Sequence, residues 1–162
     1  KKIKDSFTQI WAIFFEFQIP TIINWKKFFG DIETWSIWAQ CAYNQNLVIN
    51  KSFKENLSPE LTADNFIEKL NNEGTQGLNA MTISELSGVP RPTALRKLNN
   101  LIKRKLLKKD KNNLYLLFGA PKLDTKTIEK DINLKTIRDI NKTNEERSIR
   151  MLTKILNTIV FN

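Results

Sequence analysis

Thr93, Arg96, Asn100 and Lys103 stand three, four and three residues apart, so a helix through them sets a hydroxyl, a guanidinium, a carboxamide and an ammonium on one face. These groups recognise rather than react. A guanidinium grips a guanine edge or a phosphate, a carboxamide pairs with adenine, and Thr meets the backbone or a thymine methyl. Arg91 at the start of this helix, Lys97 and Arg104 on its flanks, and Lys109 and Lys111 just beyond it add cations to the same neighbourhood. A solvated charged face is the common alternative for such a run. What favours recognition is the turn chemistry in front of the helix.

The residues from Thr82 to Pro92 supply that turn. Thr82-Ile83-Ser84-Glu85 has the form of a capping box and predicts the start of a short helix with Ile83 and Leu86 facing inward. Gly88 stands where a left-handed residue ends the helix, Val89 is placed to plug the space between two crossing helices, and Pro92 suits the first position of the next one. In that second helix Ala94, Leu95, Leu98, Leu101 and Ile102 form the inward stripe opposite the polar face. Leu106 to Asp110 and Leu114 to Phe118 then flank Lys111-Asn112-Asn113, which predicts a β-hairpin with a polar tip carrying Lys109 and Lys111 towards a phosphate or minor groove. Asp110 either orients one of those lysines or helps the turn.

The run Met81 to Phe118, MTISELSGVPRPTALRKLNNLIKRKLLKKDKNNLYLLF, resembles the winged helix-turn-helix of bacterial transcriptional regulators of the MarR-like or IclR-like kind. The shared pattern is a short helix, a Gly-apolar turn, a Thr early in the recognition helix, Arg-x-Leu-x-x-Leu, and a basic wing. The likeness covers about a quarter of the chain. Pro90 and Arg91 depart from it where such proteins often have a Ser or Asn cap, and the short wing has Lys111 where the MarR pattern has Arg. The resemblance implies transcription regulation by a homodimer on a palindromic duplex DNA site, with the recognition helix 92–104 in the major groove and the wing 107–117 on the backbone or minor groove. A winged-helix module that binds RNA or protein, without sequence-specific DNA binding, is the alternative reading.

Charge distribution fits that division of labour. The 162 residues carry 26 Lys plus Arg against 17 Asp plus Glu, a net charge of +9. Residues 81–118 hold 9 basic and 2 acidic side chains, a net of +7, whereas residues 1–80 hold 8 and 9, a net of −1. Twelve of the 16 aromatic residues lie from Phe7 to Phe53. With no His and Cys41 alone, the chain has no Cys/His zinc site, no Ser-His-Asp or Cys-His nucleophile and no intrachain disulfide. Asp31 with Glu33, or Glu145 with Glu146, would be paired carboxylates without a phosphate loop, nucleophile or metal cluster beside them, so neither an enzyme nor a cofactor is expected.

The remaining elements must position the basic centre. Ile3, Phe7, Ile10, Phe14 and Phe17, widened by Trp11 and Phe15, predict a first helix ending near Pro20. A second helix follows over about 21–29 and a third over 31–43, with Ile32, Trp35, Ala39 and Ala42 on one side. Residues 44–59 read as a connection, 61–70 as a helix, and Gly77 as a loosened link. Ile128, Ile132, Ile137 and Ile140 predict one C-terminal helix. Ile149, Leu152, Leu156 and Ile159 predict another beginning near Thr143, either a dimer seam or packing within one subunit. The expected fold is mainly α: N-terminal aromatic helices (1–76), a winged helix-turn-helix (77–119) and C-terminal helices (120–162) that join the N-terminal ones in dimerisation. The aromatic helices leave room for a small-molecule effector. The apolar stretch 7–19, interrupted by Gln9 and Glu16, is too short to span a bilayer, so no membrane role and a cytoplasmic location are expected.

Overall fold

The computed structural model describes residues 2–55, 76–118 and 132–161. The helix expected over 61–70, and Ile128, lie outside the described residues. The described chain is mainly helical: α1 (Lys2–Asp5), α2 (Phe7–Phe29), α3 (Ile32–Glu55), α4 (Ala80–Ser87), α5 (Arg91–Lys103), strands β1 (Leu107–Lys109) and β2 (Tyr115–Leu117), and α6 (Ile132–Phe161). No helix among the described residues is long and apolar enough to cross a membrane.

The chain divides into two units, one made of Lys1–Ile32 with Leu134–Asn162, the other of Glu33–Asn133. This differs from the three-part division expected from composition, because the N- and C-terminal helices form one unit and α3 belongs with the basic centre.

In the terminal unit, α2 runs through Pro20 instead of stopping there. A proline inside a helix removes one i→i−4 bond. At Pro20 the carbonyl left without a backbone donor is Glu16 O, and the Thr21 hydroxyl donates to the neighbouring Phe17 O at 2.8 Å. The helix ends at Gly30, whose φ of 90° suits glycine and whose N–H reaches Lys26 O at 2.8 Å.

The expected C-terminal pair is likewise one helix. Thr143, expected near a helix start, instead donates its hydroxyl back to Asp139 O at 2.9 Å. Ser148, Thr153 and Thr158 also donate four residues back, so none of these hydroxyls acts as a cap.

Two cross-contacts fix α2 and α6 as antiparallel neighbours. Lys154 Nζ lies 2.8 Å from both Glu16 carboxylate oxygens, and Thr21 Oγ1 lies 3.4 Å from Asn144 Oδ1. Phe7, Trp11, Phe15 and Ile19 on α2 and Ile149, Leu152, Leu156 and Val160 on α6 are all 41–59% exposed. The Phe7, Trp11 and Phe15 rings follow one another along α2 with centroids 5.9 and 5.2 Å apart. Trp25 and Phe29, 5.7 Å apart, are buried.

In the second unit α3 continues through the stretch expected to be a connection. Its buried strip is Thr34, Ile37, Cys41, Gln45 and Ile49, at steps of three and four, so it runs one turn-face away from the expected Ile32, Trp35, Ala39 and Ala42. Burial deprives the Cys41 thiolate of solvation and pushes its pKa up to about 12, despite a backbone hydrogen bond that favours ionisation, so the group is an inert apolar filler. Gln45 is buried because a backbone donor meets it there, its Oε1 accepting the N–H of Leu117 in β2. Asn44 Nδ2 donates to Gln76 O at 2.7 Å.

The hairpin pairs Leu107 with Leu117, Lys108 with Leu116 and Lys109 with Tyr115. The other edge of β2 is also used, by an antiparallel bridge between Leu78 and Tyr115 with bonds of 3.1 and 2.8 Å. This explains Gly77, which loosens nothing. A Cβ there would stand 2.7 Å from Tyr115 O and 2.9 Å from Leu116 Cγ, so glycine is what lets the strand approach.

Candidate nucleic-acid interface

Helix α4 begins three residues earlier than the capping-box pattern suggests. Asn79 is the cap, its side chain accepting from Thr82 N at 2.9 Å, and Thr82 lies within the helix. Ile83 is fully buried as expected, whereas Leu86 is 55% exposed. Gly88 adopts the left-handed conformation, φ 68° and ψ 9°, and Val89 behind it is buried. The Ser84 hydroxyl donates to Val89 O at 2.7 Å and ties the turn to α4.

Pro90 and Arg91 lead directly into α5, with Pro92 in its first turn, where its missing N–H leaves no intrahelical bond unmade. Ala94, Leu98 and Leu101 are fully buried, so the opposite face is turned outward. Arg91, Arg96, Asn100 and Lys103 are exposed on α5, and Thr93 at the margin of this face is half-buried.

Lys97 departs from the expectation. Only 7% exposed, it turns its ammonium to α3, donating to Thr34 Oγ1 at 3.1 Å and lying 3.3 Å from the Glu33 carboxylate. It is therefore removed from the set of outward cations. The reason is its spacing: Lys97 is three residues after Ala94 and four before Leu101, which places it on the buried stripe. Arg104 is half-buried, and the loss of solvation pulls its guanidinium below its ordinary pKa.

Two exposed residues outside the expected set join this surface. Asn99 lies beside Arg96 and Lys103 on the outward face. Lys105 follows the helix in a left-handed conformation, φ 56°, where glycine is the usual residue. Around it, Lys105 N reaches Ile102 O and Leu106 N reaches Leu101 O, both at 2.9 Å, which is the Schellman closure. A lysine carrying that strain, with its side chain exposed next to the basic face, adds a cation that the helical period does not reveal.

The hairpin tip resolves the alternatives for Asp110 in favour of the turn. Its Oδ1 accepts from the backbone of Asn112 and Leu114, both at 2.8 Å, and Asn113 takes the left-handed position, φ 62°. Lys111 is left exposed at the tip. Lys109 is exposed on β1, with Nζ 5.6 Å from the centroid of the buried Tyr115 ring.

This surface thus combines α5 donors, a cation at the helix end and two lysines on the hairpin. Among the described residues no group of His, Cys, Asp or Glu could hold a metal ion. No family model, no curated protein and no solved structure matches the chain.

Proposed function

We propose that the chain is a cytoplasmic DNA-binding transcriptional regulator of the winged helix-turn-helix type, acting as a homodimer on duplex DNA. Helix α5 (recognition helix 92–104) enters the major groove and the hairpin (wing 107–117) lies along the backbone or minor groove. One observation carries this reading: the helix introduced by left-handed Gly88 buries Ala94, Leu98 and Leu101 and leaves Arg96, Asn100 and Lys103 outward. Arg96 and Asn100, with Thr93 at the edge, read bases. Arg91, Lys103, Arg104, Lys109 and Lys111 supply the phosphate term.

Selection from random duplex DNA tests the reading. The expected product is a palindrome with half-sites about ten base pairs apart, centre to centre. Arg96→Ala should lower discrimination at one base pair by about 1–3 kcal/mol, while Lys111→Ala should weaken all duplexes alike. Absence of any enriched motif, beside tight capture of RNA, would replace this reading with the RNA-binding one.

A further inference from the structure

Lys97 holds a place where an apolar side chain would pack as well. Stability does not account for it, since a buried ion pair contributes little or no net stability against a hydrophobic residue of similar volume. A helix advances about 100° per residue. Around α5, Leu98, Ala94 and Leu101 therefore lie within an arc of about 60°, Lys97 stands about 40° beyond Leu101, and Thr93 and Asn100 follow within about 60° more. Lys97 marks the edge at which the packed stripe gives way to the base-reading flank. It is the surface neighbour of Thr93, four residues before it, and of Asn100, three after. Its ammonium is received by the first turn of α3, where the buried Thr34 hydroxyl accepts at 3.1 Å and the Glu33 carboxylate lies 3.3 Å away. The start of a helix is electropositive and repels a cation, so Glu33 in that turn is what suits the receptor to lysine.

We propose that Lys97 is a positioning residue for base readout, fixing the roll of α5 about its own axis against α3 so that Arg96 and Asn100 meet the base edges in one orientation. This deepens the DNA-binding reading and rests on it for the ligand, while the clamp on α3 stands without it. An apolar stripe of Ala94, Leu98 and Leu101 rolls or slides at small cost, because burial has no direction. A buried ammonium does not, because turning it away from Thr34 and Glu33 withdraws a buried charge from its partners. A single polar group in an apolar seam fixes register in coiled coils by the same means. The roll matters because of the lever it acts on. A helix with its side chains is about 10–12 Å across, so a roll of about 20° carries a side-chain tip about 2 Å. Hydrogen bonds span about 2.7–3.2 Å between heavy atoms, so that displacement breaks a bidentate base contact. It leaves the attraction of a flexible lysine for phosphate intact, since an ammonium acts as a point charge. Loss of the clamp therefore costs discrimination and spares the salt-dependent affinity.

The test measures, on the full chain, the ratio of affinities for a selected duplex and a scrambled one, with the salt slope of each. Lys97→Met and Thr34→Val should each lower that ratio roughly tenfold, within the range of about 5–150-fold that one bidentate contact discriminates. Affinity for the scrambled duplex and its salt slope should stay at the parent's values. Thr34→Ser keeps the hydroxyl and loses a methyl group, so it should keep the parent ratio, whereas a packing role alone would place Ser below Val. Far-UV circular dichroism checks that the variants keep their helices. The roll itself is read without DNA, from nitroxide labels at Tyr43→Cys on α3 and Asn99→Cys on α5, both exposed positions. Cys41 stays unlabelled, because it is buried and its thiol is pushed up to about 12. With labelled chain diluted in unlabelled chain, double electron–electron resonance should give one narrow distance, shifted or broadened by about 2 Å when Lys97→Met is added. Parent-like discrimination in Lys97→Met, an equal loss on every duplex, or lowered discrimination with an unmoved distance would each overturn the proposal. If selection returns no motif, the DNA reading falls and the distance alone decides: a broadened one keeps the clamp, and an unmoved one ends it.

Discussion

Replacing Lys97 by Met separates a structural lysine from a phosphate-binding one. The parent side chain is only 7% exposed, so keeping its ammonium charged costs several kcal/mol of desolvation, offset by charge-assisted hydrogen bonding and by Glu33. A hydrogen bond to a charged group contributes about 1.5–3 kcal/mol. The Glu33 side chain is 57% exposed, so its ion pair is heavily screened and contributes at most about 1 kcal/mol. Met keeps an unbranched stem in the same space and removes the buried charge, while Glu33 returns to water without being stranded. The opposing terms then nearly cancel, and Lys97→Met should change stability by no more than about 1 kcal/mol. Lys97→Ala also deletes three methylenes at ~0.8 kcal/mol each, so it should cost roughly 2–3 kcal/mol. For a unit of about 100 residues each kcal/mol moves the melting temperature by about 4–8 °C.

The DNA assay is the sharper one. A lysine that neutralises a phosphate contributes about one unit to the slope of log affinity against log salt. Lys97→Met should leave that slope unchanged, and Lys111→Ala should lower it. The pair is best measured by fluorescence anisotropy on one duplex across a salt series. If Lys97→Met lowered the slope by about one with stability untouched, the ammonium would have to leave its pocket and face the duplex, and the burial argument would fail.

Lys105→Gly should stabilise the fold by about 0.5–1 kcal/mol, because the left-handed backbone that strains lysine suits glycine, and it should weaken binding to every duplex alike. An unchanged urea midpoint would mean that the strain is relieved elsewhere. Gly77→Ala forces a methyl group to within 2.7 Å of Tyr115 O, so the Leu78 bridge must shift at a cost of about 1–3 kcal/mol; a melting temperature equal to the parent's would refute the close approach.

How legible the site was depended on how local its determinants are. Gly88, the Ala94-Leu98-Leu101 stripe and the Lys111-Asn112-Asn113 tip are each set by residues within one turn of each other, and all three stand where the pattern puts them. Local rules failed where a residue answers to something distant. Gln45 reads as loop polarity until Leu117 supplies a donor, and Gly77 reads as slack until β2 passes beside it. Thr143 looked like a boundary because the rule for helix starts ignores a hydroxyl that bonds back along the helix, and Pro20 looked like an end although α2 runs on through it. Lys97 was within reach of sequence reasoning. Its three-four spacing between Ala94 and Leu101 marks the inward stripe, but its charge argued for water, and only Thr34 on α3 shows how an ammonium is accommodated there.

That single inward lysine changes what the charge can do. Of the nine cations in residues 81–118, Lys97 is buried, Arg104 and Lys108 are half-buried, and six remain exposed: Arg91, Arg96, Lys103, Lys105, Lys109 and Lys111. Each phosphate neutralised on duplex DNA contributes about −0.9 to the salt slope. These six and the half-buried Arg104, itself assigned to the phosphate term, therefore bound the slope at about −6 per copy and about −13 for two copies on one site. Some of the six read bases instead of phosphates, so the measured value should fall inside that bound. A slope near zero would deny the phosphate term and with it the DNA reading. A slope steeper than the bound would require cations outside residues 81–118, such as those of α6, to touch the duplex, and the basic centre would no longer account for binding.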